Sequence, residues 1–382
     1  MTVATLEATP TATRTDWVAL AHELGPRFAE RAAAADDGDA FVAANYVDLK
    51  AHRLIAAAVP TELGGGGATQ RELCDMLRAL AGYCGSTALA LSMHTHNVAV
   101  AAWRWRHDKT PTDGLLRRVA AEQIVLISTG GADWLKSIGT AEKVEGGFKI
   151  TARKGFASGL PAGDILMTSA VYDDPQAGPT VLHFGLPVRS PGVRIDERWR
   201  AMGMRGTGSN DAVIEGAFVA DAAIAGRRPQ GKWHRLFHII SMIAFPIIYS
   251  VYVGVAEAAR MRALRAAAGR AGDADTQLLV GEMENELASA RFALADMIAN
   301  AVESMPGPET TSRTFVGRTL AARGAIRAVE KAMEVAGGAA MYRAFGLERL
   351  FRDVQGARYH PLQEKPQLRL AGRVALGLDI DG

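Results

Sequence analysis

The segment from Leu236 to Ala256, LFHIISMIAFPIIYSVYVGVA, runs 21 residues without an Asp, Glu, Lys or Arg. At a 1.5 Å rise per residue it is long enough to cross a hydrocarbon layer, so it must be enclosed either by lipid or by protein. His238, Pro246 and its hydroxyl residues argue for protein, as does the Ala- and Arg-rich amphipathic continuation that follows it. A helix buried in a bundle or oligomer core, with no membrane partner, is the expectation. A chain of 382 residues that is 48% apolar can supply such a core.

The pattern on either side divides the chain into three blocks. Trp17, Leu20, Leu24 and Phe28 recur at helical spacing behind Asp16, which can cap the first turn, and Arg71 to Trp105 continues the helical character after the break AAVPTELGGGGAT. Between Ala121 and Arg227 lie short β-rich runs such as IVLIS, GFKITA, DILMTSAV and TVLHFGLP, separated by Gly, Pro and Asp turns. Helical spacing returns from Lys232, as at Leu279, Met283 and Leu287. The expected fold is α+β and multidomain, with a mobile tail at 1–14 and a helical domain at 15–120. A β-barrel or sandwich follows at 121–230 and a C-terminal four-helix bundle at 231–382.

Several function classes are excluded on composition. The formal net charge is +2, without a basic run interleaved with aromatic residues, which disfavours nucleic acid as a partner. Cys74 and Cys84 stand ten apart, too few for a disulfide framework and without zinc spacing; two reduced thiols in a cytoplasmic protein are expected. The N-terminus MTVATLEATPTATRTD lacks the basic start and apolar run of a secretory signal. GTGSND at 206–211 and GGGGAT at 64–69 both fall short of a dinucleotide-binding fingerprint.

Four strings in a fixed order carry a resemblance: VPTELGGGG at 59–67, GFKITARKGFASGLPAGD at 147–164, WRAMGMRGTGSNDAVIEGAFV at 199–219 and EVAGGAAMYRAFGLERLFRD at 334–353. Together they resemble the acyl-CoA dehydrogenase superfamily over nearly the whole chain. The resemblance implies a flavin between the β domain and the C-terminal helices, and a homotetramer formed through the bundle. In the family's dehydrogenases a glutamate follows the arginine matching Arg352 by nine residues and acts as base. Here that position is Pro361, which cannot take a proton. The family's alternative position for the base, on the first bundle helix, falls at Ala244 and Phe245. Glu364 is the remaining carboxylate, three residues out of register.

A histidine followed by a proline after the arginine-aspartate pair is similar to the flavin monooxygenase branch of this superfamily, which includes dibenzothiophene monooxygenase. His94, Ser158 and His360 match that branch's two histidines and its serine beside the flavin, and the resemblance implies that they are catalytic. In that branch a reduced flavin and O2 form a C4a-hydroperoxyflavin, which needs exclusion of water and controlled protonation rather than a carbon-acid base. Histidine suits that task, and a hydroxyl such as that of Ser158 can bond flavin N5. His96 is the neighbouring alternative to His94. Thr129, Phe156, Ser158, Trp199, Gly337 and Gly338 are the implied cofactor contacts.

Two departures bear on the cofactor. RALRAAAGRAG at 262–272 lacks the family's phenylalanine, and Glu334 stands before the paired glycines, where its charge repels a pyrophosphate. Weak retention of FAD, or use of FMN delivered by a separate reductase, is therefore expected. Gly131 in TGG replaces an asparagine of one branch member. The expected activity is oxygenation of an aromatic, heteroaromatic or biosynthetic small molecule. A divergent acyl-CoA dehydrogenase using Glu364 and a non-catalytic flavin-binding or assembly protein are the alternatives.

Overall fold

The computed structural model describes residues 15–131 and 133–382, and the tail expected at 1–14 lies outside them. The N-terminal helices are α1 (Trp17–Asp37), α2 (Ala43–Ala51), α3 (Gln70–Tyr83), α4 (Gly85–His107) and α5 (Asp113–Glu122). Asp16 caps α1, its Oδ1 accepting from the amides of Val18 and Ala19. Thr69 and Glu72 form a reciprocal capping box that fixes where α3 starts after the glycine-rich turn. The helical run expected from Arg71 to Trp105 is two helices, because Cys84 adopts an extended conformation (φ −146°, ψ 100°) between them.

The strands are β1 (Leu126–Ser128), β2 (Thr140–Val144), β3 (Gly147–Lys154), β4 (Ile165–Asp174), β5 (Gly178–Pro187), β6 (Val193–Asp196), β7 (Asp211–Ala220) and β8 (Ile224–Pro229). They form one sheet in the order β6-β7-β3-β2-β4-β5-β8, with β1 parallel to β4. Strand β2 meets β4 through a single pair, Thr140 with Val171, so the sheet has two halves joined at one point. In β3 alternate residues are buried, as expected of a strand with one face on a core.

The C-terminal helices are α6 (Arg235–Ala267), α7 (Ala274–Glu303), α8 (Pro308–Ala336), α9 (Leu347–Val354) and α10 (Glu364–Ala375). The uncharged segment forms most of α6, and its most apolar window is 94% buried among α3, α4, α7 and α8. Its polar side chains are accommodated inside the protein: Ser241 and Ser250 donate to the carbonyls of Phe237 and Pro246 one turn back, both at 2.7 Å, and His238 Nδ1 meets Thr311 Oγ1 at 2.7 Å. Gly254 lets α6 approach α3 closely, since a Cβ there would lie 2.2 Å from the Arg78 carbonyl oxygen. Cys74 and Cys84 are free, buried thiols.

Candidate active site

His360 lies in the turn between α9 and α10, and that turn is shaped by a buried guanidinium. Arg318 of α8 donates to the carbonyls of Ala357 at 3.2 Å, Arg358 at 3.3 Å and His360 at 2.7 Å. Tyr249 of α6 adds a hydrogen bond to the Ala357 carbonyl at 2.7 Å. The His360 ring then meets Tyr252, with Nε2 to Oη at 2.6 Å. Burial, with the Arg318 charge nearby, pushes the His360 imidazole down to about 3, while burial holds the Tyr252 phenol well above its usual range. Both groups are therefore neutral near pH 7. Tyr252 Oη has no other hydrogen-bond partner among the described residues; donating its proton to Nε2 would leave the His360 proton on Nδ1.

The structure separates the two histidines of α4. His94 Nε2 donates to the Ile55 carbonyl at 2.8 Å, and its Nδ1 accepts from the Leu126 amide at 2.9 Å. Both ring nitrogens of this expected catalytic residue are thus engaged by backbone, and the ring ties α4 to the turn at 54–56 and to β1. His96 Nδ1 bonds the Ser92 carbonyl at 3.1 Å, and its Nε2 makes no hydrogen bond among the described residues. Burial pushes both rings down to about 4, and His96 lies within electrostatic reach of His360. His94 is thus held by backbone at both ring nitrogens, while His96 keeps Nε2 without a hydrogen-bond partner among the described residues. The spacing in MHTH does not reveal this difference, because it depends on the distant Ile55 carbonyl and Leu126 amide.

Ser158 sits in the turn after β3, in a row of buried hydroxyls. Its Oγ is 2.8 Å from Ser209 Oγ, which is 2.6 Å from Thr207 Oγ1, and Thr207 donates to the Met204 carbonyl at 2.8 Å. Backbone bonds stitch the same two segments together, from Ala157 N to Asn210 O at 3.1 Å and from Gly159 N to Thr207 O at 2.8 Å. Phe156 is 60% exposed with φ 56°, a left-handed conformation uncommon for an aromatic residue, and its ring meets Trp199 edge-on at 5.8 Å. The two expected ring contacts are thus adjacent. Trp199 is positioned by its amide, which donates to Asn210 Oδ1 at 3.0 Å.

The Ser158 and His360 groups are connected through residues 202–204. Arg352 donates to the Met202 carbonyl at 2.9 Å and to Asp36 Oδ1 at 3.0 Å, and Asp353 Oδ1 accepts a very short bond from the Met204 amide. Burial raises the Asp353 carboxyl to about 6. A Cβ on Gly203 would lie 2.3 Å from the Arg352 carbonyl oxygen, so only glycine fits there. The arginine-aspartate pair therefore anchors the segment that carries Thr207 and Ser209.

The remaining expected residues lie around this frame. Thr129 Oγ1 donates to Thr168 Oγ1 at 2.8 Å. Beyond it, Asp133 and Lys154 form an ion pair at 2.6 Å with both side chains 1% exposed, a pair absent from the sequence expectations. Gly337 and Gly338 follow α8, with open space where a Cβ would point. Glu334 beside them is paired with Lys331 at 3.0 Å, which offsets the repulsion expected of its charge. Glu364 is on the surface, bonded by Arg323 Nε at 3.2 Å and held below the usual carboxylate range by that guanidinium. Among the described residues no group of His, Cys, Asp and Glu is arranged to hold a metal. An open groove of about 780 Å³ lies on α7, α8 and α10, lined by Phe292, Val316, Leu320 and Val374, and none of the expected site residues borders it.

A planar, polar-edged group fits the residues present. Trp134 Nε1, Trp199 Nε1 and Asp133 Oδ1 are buried without a hydrogen-bond partner among the described residues, and the exposed Phe156 ring stands beside Trp199. Unsatisfied buried polar atoms are uncommon, and the one on Trp199, beside the exposed Phe156 ring, is open to a ligand that bonds it.

Residues 247–364 match the family Acyl-CoA dehydrogenase, C-terminal domain. The chain is 28% identical over 321 residues to the pigment production hydroxylase of Rhodococcus sp. (strain ATCC 21145), covering 81% of this chain and 78% of that protein. It is 26% identical over 371 residues to the putative acyl-CoA dehydrogenase YdbM of Bacillus subtilis (strain 168), covering 90% and 92%. Among solved structures, KijD3 in complex with FMN and dTDP-3-amino-2,3,6-trideoxy-4-keto-3-methyl-D-glucose superposes with a TM-score of 0.87 at 26% identity, covering 97% of this chain and 96% of that one. The chain thus carries an acyl-CoA dehydrogenase C-terminal domain and has the fold of that superfamily.

Proposed function

We propose that this chain is a flavin-dependent monooxygenase that takes reduced FMN or FAD and O2 and oxygenates a small aromatic, heteroaromatic or biosynthetic molecule. The observation that carries this reading is the neutral Tyr252–His360 pair beside Pro361, where a dehydrogenase of this fold has its glutamate. The similarity to the Rhodococcus hydroxylase, and the FMN bound in KijD3, support it.

When bound, the reduced flavin supplies the two electrons that allow one oxygen atom to enter the substrate and the other to leave as water. The residues of this chain position and protonate. Tyr252 donates to His360 Nε2 and so presents the Nδ1 proton, a neutral donor that survives in a dry site. Ser158 offers its hydroxyl to the flavin ring, with Phe156 and Trp199 at its side and Thr129 near its edge. His96 adds a second neutral imidazole, and His94 holds α4 and β1 in place behind them. Gly337 and Gly338 leave room for the nucleotide end of FAD.

A separate flavin reductase is the proposed source of reduced flavin, and the protein is proposed to be cytoplasmic. A homotetramer fits the apolar face of the bundle, where Phe292 is 75% exposed. The experiment is rapid mixing of oxygenated buffer with protein and anaerobically reduced FMN or FAD. An absorbing species that outlasts the direct reoxidation of free flavin supports the reading. Single-step reoxidation, with reduction of bound flavin by acyl-CoA thioesters, overturns it in favour of a dehydrogenase using Glu364, the reading that the likeness to YdbM favours.

A further inference from the structure

We propose that the hydroxyl chain Ser158–Ser209–Thr207 makes the site selective for reduced over oxidised flavin, with Thr207 and Ser209 acting as positioning residues for the Ser158 lone pairs. This inference rests on the flavin reading above, with Ser158 beside flavin N5.

The direction of the chain is set at its far end. Thr207 Oγ1 has one proton, and its 2.8 Å bond to the Met204 carbonyl uses it, because a carbonyl only accepts. At the 2.6 Å contact with Ser209, Thr207 must therefore accept, so Ser209 donates to it. Ser209 in turn has no proton left for the 2.8 Å contact with Ser158, so Ser158 donates to Ser209. Every proton in the row points towards Met204. All three side chains are buried, so water does not re-orient them freely. Met204 is itself held by its amide bond to Asp353 and by the Thr207 amide, which also bonds its carbonyl at 3.0 Å.

With its proton committed inward, Ser158 Oγ faces a ligand as an acceptor only. Flavin N5 carries a hydrogen when reduced and a bare lone pair when oxidised. The reduced form thus meets a partner at Ser158, and the oxidised form meets lone pair against lone pair. Reversing the row to accommodate oxidised flavin breaks the Thr207–Met204 bond, which disfavours that form by about three- to tenfold for one net hydrogen bond.

The test measures dissociation constants for FMN and for anaerobically reduced FMN in the full chain, with Thr207→Val and Thr207→Ser. Valine keeps the shape and removes the hydroxyl, which frees the row to reverse; serine keeps the bond. The expected result is that Thr207→Val binds oxidised FMN about three- to tenfold more tightly relative to reduced FMN. The midpoint potential of the bound flavin then falls by up to about 30 mV, the value of a tenfold change for a two-electron couple. Thr207→Ser retains the wild-type ratio, and Thr207→Val has no effect on the ratio in a Ser158→Ala background. Ser209→Ala breaks the row independently and gives the same shift if Thr207→Val does not fold. An unchanged ratio in a folded variant that breaks the row, with both flavins bound, overturns this inference alone. Binding of neither FMN nor FAD, in either redox state, overturns the flavin reading and this inference with it.

Discussion

Tyr252 Oη lies 2.6 Å from His360 Nε2, joining the middle of α6 to the turn that follows α9. In the proposed arrangement the phenol donates across this contact and the imidazole carries its proton on Nδ1. Tyr252→Phe leaves Nε2 without its donor, at a cost of about 1–3 kcal/mol for an unsatisfied buried group. The expected outcome is a modest fall in the urea midpoint and a larger fraction of reduced flavin reoxidised without product. Unchanged coupling of flavin oxidation to product, in a folded variant, removes the pair from the reaction.

His94 is expected to behave as a structural residue. His94→Ala orphans the Ile55 carbonyl and the Leu126 amide together, so a loss of about 2–4 kcal/mol is expected from two buried backbone groups. His96→Ala leaves a single carbonyl one turn back on the same helix and destabilises less. Urea unfolding of the two variants measures the difference. A His94→Ala protein of near wild-type stability that has lost oxygenation restores the catalytic role for His94.

Acid is expected to destabilise the protein above the pH range in which most of its carboxylates are neutralised. Burial holds His94 and His96 near 4 and His183 and His360 near 3, all below the ordinary histidine value of 6.5. Between about pH 6.5 and 4 the unfolded chain binds protons at these rings and the native one does not. Stability therefore falls with falling pH through this window, by up to about 1.4 kcal/mol per pH unit for each ring. Asp353, raised to about 6, acts in the opposite direction below that pH as the native state takes up its proton, but it is one group against four. Thermal melts from pH 7.5 to 4.5 test the sign; a midpoint that holds steady over this range contradicts the buried, neutral histidines.

Glu364→Gln removes a surface ion pair with Arg323, which is worth no more than about 1 kcal/mol at this exposure. Product formation and folding are expected to stay close to wild type. Loss of flavin reduction by an acyl-CoA thioester in this variant, where the parent protein shows it, is the result that favours a dehydrogenase.

Much of this organisation was legible in the residues, for identifiable reasons. The apolar run from Leu236 to Ala256 forced a buried helix, and the alternation in GFKITARK forced a strand. The absence of a carboxylate at Pro361 was visible by counting from Arg352. What could not be read were contacts between distant segments. Tyr249 and Tyr252 stand inside the uncharged run of α6, where nothing in the sequence marks them as reaching the His360 turn. Arg318 and the Asp133–Lys154 pair are charges in the core, and composition does not indicate which charges are buried. Thr207 and Ser209 lie in GTGSND, whose residues do not reveal hydrogen bonds to Ser158 and Met204.

The tether from Met204 to Asp353 has a consequence for synthesis on the ribosome. Residues 202–209 emerge well before their anchor, and the Met204 amide has no carboxylate to bond until Asp353 has been made. The β-sheet can assemble early, but the hydroxyl row beside it is secured only once Asp353 has emerged. A nascent chain that has completed its strands therefore lacks the anchor of the proposed flavin site, and a chain cut short before residue 353 never acquires it.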